Sequence, residues 1–386
     1  WGATLCALPV LFDVYELQLE HMISSDVLFF TLVTVAVVLL VWWDTPPWPA
    51  LLAAGLLTGA AASVRNVGEI LLAFVVIGLI ARRVGWRRIV ATAAAGLVPI
   101  AAYMVWFHVG TGQYALNDGG PFLYARVQAF AECSKMNPPP DLRPLCDPRP
   151  PAQREISQEY VWTANSPLVK LSGGDNNAQF TARRSKLATS FAELAIESQP
   201  LSYARVVGHD VWTTFDWNRP TTNNGLMGLG SAFEFYQTVP PLLGWLNSAQ
   251  LRAARELGGA TYGEPKVVQP WARFLWAYDN VFLPGPVLLV IIGIGLAGII
   301  AGMRRRAWRE RRWGGLALLP WLVGVALIVL PDLTAGYSNR YVLAGVPTMC
   351  LAAGLAAAGR RRHKFRQSAV RPGKSLSNPC STESRP

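Results

Sequence analysis

Charge is what this sequence has little of: Asp, Glu, Lys and Arg make up 15% of its 386 residues, against about a quarter in soluble domains. That shortage excludes an ordinary soluble domain. The motifs of several common chemistries are missing too. There is no Gly-rich phosphate loop with Walker spacing, no HExxH and no GxSxG. None of these absences excludes an enzyme whose donor carries its own leaving group. No internal repeat stands out, and no signal peptide with a basic start and a cleavage site is visible. The first residue is Trp1, inside the apolar run WGATLCALPVLF, so a preceding segment is expected.

What is abundant is apolar sequence, 52% of the chain. Apolar runs occupy Val27–Trp43, Trp48–Ser63, Gly68–Ala81, Ile89–Phe107, Leu283–Gly302, Gly315–Leu330 and Tyr341–Ala358. Trp1–Phe12 reads as the tail of one more. The fold class is therefore an all-α polytopic membrane protein with about seven transmembrane helices plus that partial one. The runs at 48–63 and 68–81 are short for full crossings. Four regions follow. Residues 1–107 form an N-terminal transmembrane region, and 108–282 a large, mainly helical extracytoplasmic domain. Residues 283–359 form a C-terminal transmembrane region, and 360–386 a basic, disordered cytoplasmic tail.

Net charge is +11, but the excess sits in clusters beside apolar runs, as in membrane-flanking loops rather than a nucleic-acid surface. Arg82, Arg83, Arg87 and Arg88 mark one loop. Arg304, Arg305, Arg306, Arg309, Arg311 and Arg312 mark a second, and Arg360, Arg361, Arg362, Lys364 and Arg366 begin the tail. Counting spans puts all three on one side, which the positive-inside rule makes cytoplasmic. Asp26, Arg65, the segment 108–282 and Arg340 then share the other side. The expected location is the plasma membrane, multi-pass, with the large loop outside and the C-terminus inside.

Residues 108–282 are too polar to span and too long for an ordinary loop. FTARRSKLATSFAELAIES has apolar residues at helical spacing. PLSYARVVGHDVWTTF opens with Pro in a favoured first-turn position and sets Tyr203, Val206, Val207 and Val211 near one face. Leu242–Leu257 reads as a further helix. These helices either lie along the membrane surface or form a compact helical domain. Cys133 and Cys146 flank the Pro-rich NPPPDLRPLCDPRPP, where an extracytoplasmic location favours a disulfide over two free thiols.

The chemistry-bearing residues gather at the ends of apolar runs. LFDVYELQLEHMISSD carries Asp13, Glu16, Glu20, His21 and Asp26 before the first complete span, and ionisable groups at a membrane helix mouth suggest function. Asp26 is either a carboxylate that accepts a proton or binds a metal, or a complement to the helix dipole. Glu16 and His21 are the candidate metal ligands, with a polar interfacial histidine as the plainer reading of His21. Arg65, beside Asn66, has no local acidic partner except Glu69 at i,i+4. It grips a phosphate, snorkels to headgroups or pairs with Glu69. Arg340, beside Tyr341, stands where positive charge is disfavoured, so it needs a phosphate or a partner such as Asp332.

The order of YELQLEHMISSD, a span, the GLLTGAAASVRNVG hairpin, a large outer region and SNRYVLAGVP resembles polytopic glycosyltransferases of the GT-C class. It is most similar to the phospholipid-carrier-dependent family related to protein O-mannosyltransferases and aminoarabinose transferases, in its actinobacterial form. CSKMNPPPDLRPLC and the following LSYARVVGHD carry the likeness into the large loop. The resemblance implies sugar transfer from a polyprenyl-phosphate carrier to an acceptor hydroxyl on the outer face. It implies a catalytic carboxylate at Asp26 and carrier-phosphate contacts at Arg65 and Arg340; Glu20, Asn66 and Tyr341, read from the residues themselves, are the further candidate substrate contacts. The family's usual first-loop carboxylate is expected to precede Trp1, which leaves this chain catalytically incomplete. Expected partners are the polyprenyl-phosphate-linked sugar, the lipid bilayer and a protein or glycan acceptor, with no nucleic acid. A divalent metal ion is compatible with the acidic cluster but not required. A transporter or flippase for a lipid-linked substrate predicts repeats and broken helices. A non-catalytic scaffold predicts no convergence of Asp26, Arg65 and Arg340.

Overall fold

A computed structural model describes residues 2–21, 24–65, 67–116, 119–157, 159–173, 178–217, 252, 256, 267–278, 281–304 and 314–369. Among them all regular structure is helical. The apolar runs become α1 (Val14–Glu20), α2 (Ser25–Val41), α3 (Trp48–Val64), α4 (Gly68–Ala81) and α5 (Trp86–Thr111). The polar region supplies α6 (Gly120–Val127), α7 (Ala182–Ser198) and α8 (Pro200–Thr213). After it come α9 (Trp271–Tyr278), α10 (Gly285–Arg304), α11 (Gly314–Thr334) and α12 (Asn339–Ala369). Asn66, the basic residues from Arg305 to Arg312 and the segment Leu242–Leu257 read as a helix lie outside the described residues or, for that segment, almost entirely so.

Among the described residues four helices are long and apolar enough to cross a bilayer: Trp86–Thr111, Gly285–Met303, Leu316–Thr334 and Asn339–Ala358. A fifth candidate joins α1 and α2, whose axes differ by 109°. The remaining two apolar runs form helices of 17 and 14 residues. At ~1.5 Å per residue these are shorter than a hydrocarbon core of ~30 Å. The last helix continues through Ala369, into the basic segment whose composition reads as disordered. Arg, Lys, Gln and Ala are strong helix formers, and they follow directly on an established helix.

Two packing contacts fix the bundle near the site. Gly55 and Gly59 of α3 lie against the backbone of α5 at Thr92 and Gly96, where any side chain would collide. Leu19, Phe29, Val33, Val37, Leu71 and Leu327 then share one core with α1, α2, α4 and α11. At the far end of α2, Arg82 donates to the carbonyls of Leu40 (2.5 Å) and Trp43 (3.0 Å). Arg82 thus marks the end of α2 opposite Asp26.

The polar region has a core of its own, built on Tyr124, Val127, Leu145, Tyr160, Leu168 and Phe191. Tyr203 and Val206 of α8 pack onto it, and Val207 is buried, on the face that their spacing predicts. Leu201 and Trp212 of the same helix are exposed. Cys133 and Cys146 are joined by a disulfide, with Cα atoms 6.1 Å apart. Closing so short a loop stabilises by ~3 kcal/mol. Cys146→Ser, or reduction, should lower the melting temperature of the purified protein. An unchanged melt would remove the bridge from the region's stabilising contacts.

Asp147 sits beside that bridge and is almost fully buried. Arg149 Nη2 and Tyr160 Oη donate to its Oδ2 at 2.7 and 2.5 Å. Burial alone would raise the carboxyl pKa, but the bonds from Arg149 and Tyr160 outweigh it and hold Asp147 well below the usual carboxylate range. Burial and the Asp147 contact push the Tyr160 phenol up in turn. The stabilisation is therefore complete above the unfolded value of ~3.9 and is lost as pH falls through the folded value. Asp147→Asn should cost ~1–3 kcal/mol at neutral pH and flatten the acid side of the stability profile. Melts from neutral to acidic pH check this; a wild-type acid limb in the variant contradicts it.

Candidate functional site

Three chain ends meet at one end of the bundle. The first is the start of α2, where the Ser24 hydroxyl caps the helix by accepting from the Asp26 backbone N–H at 3.3 Å. The same hydroxyl donates to Asp26 Oδ2 at 2.5 Å. These contacts hold the Asp26 carboxylate in a side-chain position only 3% exposed. The second is the end of α3, where Arg65 leaves helical geometry for extended backbone. Its guanidinium swings across to Asp26 and forms an ion pair. The third is the start of α12, where Arg340 Nε lies 3.6 Å from Asp26 Oδ2.

Tyr341, next in the chain, lies under Arg65 with the guanidinium carbon 5.2 Å from the ring centroid. Burial lowers the Arg65 pKa from its ordinary value; Tyr341 opposes that and Arg340 adds to it. A guanidinium stays protonated under such pressure, so the effect is a desolvated cation in need of an anion. Asp26 meets part of that need. Two guanidiniums against one carboxylate leave the cluster with net positive charge. Arg340 Nε is buried and has no hydrogen-bond partner among the described residues, since 3.6 Å is too long for one. The arrangement can receive a further anion.

The other acidic residues of the first segment part company with Asp26. Asp13 caps α1, accepting from Tyr15 N–H and from Leu283 N–H, each at 2.8 Å. Its carboxylate fastens two segments far apart in sequence, a structural role. Glu16 is buried in the face that α1 turns to the bundle, whereas Glu20 and His21 are exposed. His21 Nδ1 lies 2.6 Å from the Leu17 carbonyl. Among the described residues no group of three His, Cys, Asp or Glu suited to a metal includes Glu16 and His21. Glu69 is exposed, and the ion pair of Arg65 runs to Asp26. Asp332 lies with Arg126 and Asp210, and Arg340 faces Asp26 instead.

No family model matches the chain, and no curated protein or solved structure matches it either.

Sequence reasoning passed over two charged residues that the fold makes prominent. Arg126 of α6 is among the largest fully buried side chains, and its Nη1 pairs with Asp210 Oδ2 of α8 at 2.9 Å. The signal was available: an Arg inside FLYARVQAF has no acidic neighbour, which is the argument applied to Arg65.

Proposed function

We propose that this chain is a polytopic membrane glycosyltransferase, moving a sugar from a polyprenyl-phosphate carrier to an acceptor hydroxyl at the outer face of the plasma membrane. The observation that carries the reading is the convergence of Arg65 and Arg340, from different helices, on buried Asp26. A scaffold predicts no such convergence. A carrier phosphodiester bears one negative charge, which complements the net charge of the cluster. The family resemblance supplies the sugar; the cluster's chemistry speaks only for the phosphate. Sidedness follows from the positive-inside rule, because the Arg82 loop caps the end of α2 opposite Asp26.

In this mechanism the carrier phosphate takes over guanidinium contacts that Asp26 holds in the free protein. That exchange frees the Asp26 carboxylate to face the acceptor hydroxyl. The acceptor oxygen then bonds to the anomeric carbon as the bond from that carbon to the phosphate oxygen breaks. Asp26 takes the acceptor proton, while Arg65 and Arg340 stabilise the charge that grows on the leaving phosphate. Tyr341 keeps Arg65 oriented. No step passes through a metal ion.

Membranes containing the protein, given polyprenyl-phosphate carrying a radiolabelled sugar, provide the test. The expected result is label in a protein or glycan fraction, lost in Asp26→Asn; that transfer would make Asp26 the sufficient base and overturn the expectation that a further carboxylate is required. Carrier binding without transfer, across a panel of carrier-linked sugars, would favour transport of the lipid-linked substrate instead.

A further inference from the structure

A second charged group, Arg126, lies beside Gly336, a few residues before Arg340 in the chain. Arg126 is 2% exposed and spends Nη1 on Asp210. Its Nε and Nη2 have no hydrogen-bond partner among the described residues. Asp210 Oδ2 also accepts from the backbone N–H of Tyr337 at 3.3 Å. Tyr337 belongs to the connection between α11 and α12, which turns at Gly336, where φ is +102°. Only glycine adopts that conformation readily, and a side chain there would approach Arg126 Nη1. Close by, Tyr203 Oη donates to the Leu333 carbonyl at 2.9 Å. The Tyr337 hydroxyl in turn donates to Asn339 Oδ1 at 2.6 Å, at the first residue of α12. Arg340 and Tyr341 follow directly.

We infer that Asp210, oriented by buried Arg126, is a positioning residue that sets the start of α12 and so aims Arg340 and Tyr341 at the anion site around Asp26. The inference rests on the phosphate-binding reading of that site. Its physical basis is that the connection into α12 is short and is held from α8 at two points. The Tyr337 amide and the Leu333 carbonyl are both bonded from α8, so α8 and the connection shift together. Small misplacement of a guanidinium at an anion site is costly, because its donors are directional. The polar region would then contribute to carrier binding without touching the carrier.

The test is a double-mutant cycle on the full chain in nanodiscs, with polyprenyl phosphate as the probe ligand. Arg340→Ala should weaken binding by ~10–100-fold, as loss of a charged hydrogen-bond donor does. Asp210→Ala should weaken it by about 10-fold, yet cause no further loss when Arg340 is already alanine. Asp210→Asn, which keeps an oxygen for the Tyr337 amide, should restore most of the affinity. The reactivity of Arg340 toward phenylglyoxal, measured without ligand, should rise in Asp210→Ala and fall back in Asp210→Asn. Equal losses from Asp210→Ala in both backgrounds, or wild-type affinity in Asp210→Ala while Arg340→Ala binds weakly, overturns the positioning role alone. Wild-type binding by Arg340→Ala overturns the phosphate reading, and the inference with it.

Discussion

Replacing Arg65 with alanine is expected to weaken binding of polyprenyl phosphate by ~10–100-fold and to destabilise the protein by ~3–5 kcal/mol. Both effects come from one contact. Arg65 is paired with a buried carboxylate, so its removal leaves Asp26 desolvated, with Arg340 at 3.6 Å and the Ser24 hydroxyl as its remaining side-chain partners among the described residues. Removing one member of a buried pair costs far more than the pair contributes relative to apolar replacements. Arg65→Lys restores the charge but neither the fork of donors nor the stacking on Tyr341, and should recover stability more than affinity. Thermal melts and lipid titration on the same preparation separate the two quantities. Unchanged affinity with lowered stability would make Arg65 a structural residue.

Asp26→Asn should act in the opposite direction on binding and severely on turnover. The amide keeps the shape of the carboxylate and the oxygen that meets the Ser24 hydroxyl. It no longer neutralises Arg65 and Arg340, so the anion meets a more positive site and binds at least as tightly. Proton acceptance is lost, and with it ~100–10,000-fold in transfer rate. This pairing of tight binding with failed chemistry distinguishes a base from a counter-ion. If Asp26 only held the arginines in place, asparagine would loosen them and weaken binding as well. Wild-type turnover in Asp26→Asn would remove it from the reaction.

The apolar helices were legible because runs of that length have few alternatives once charge is scarce. Asp26, Arg65 and Arg340 were legible for a related reason: a charge at the edge of an apolar run has few partners in sequence, so it needs one in space. The sequence singled out Asp26 at the head of a span, but not how its acidic neighbours part from it: Asp13 caps a helix, Glu16 is buried against the bundle and Asp26 meets the arginines. That difference lies in where α1 and α2 diverge, which no local pattern encodes. Arg126 carried the same signal as Arg65, but its pairing with Asp210 stayed invisible because it spans two helices of a region whose tertiary arrangement has no periodic signal. The helix over 339–369 outran its predicted end because apolarity, not helix propensity, set the predicted boundary.

The account depends most on the anion that Arg65 and Arg340 receive being a carrier phosphate. A polyprenyl phosphate bearing a diazirine near its headgroup, irradiated with the protein in nanodiscs and mapped by mass spectrometry, reads that directly. The account predicts labelled peptides around Asp26, Arg65 and Arg340, with labelling suppressed by unlabelled polyprenyl phosphate and reduced in Arg340→Ala. Labelling confined to other helix ends, or labelling here that excess unlabelled carrier leaves unchanged, would contradict it.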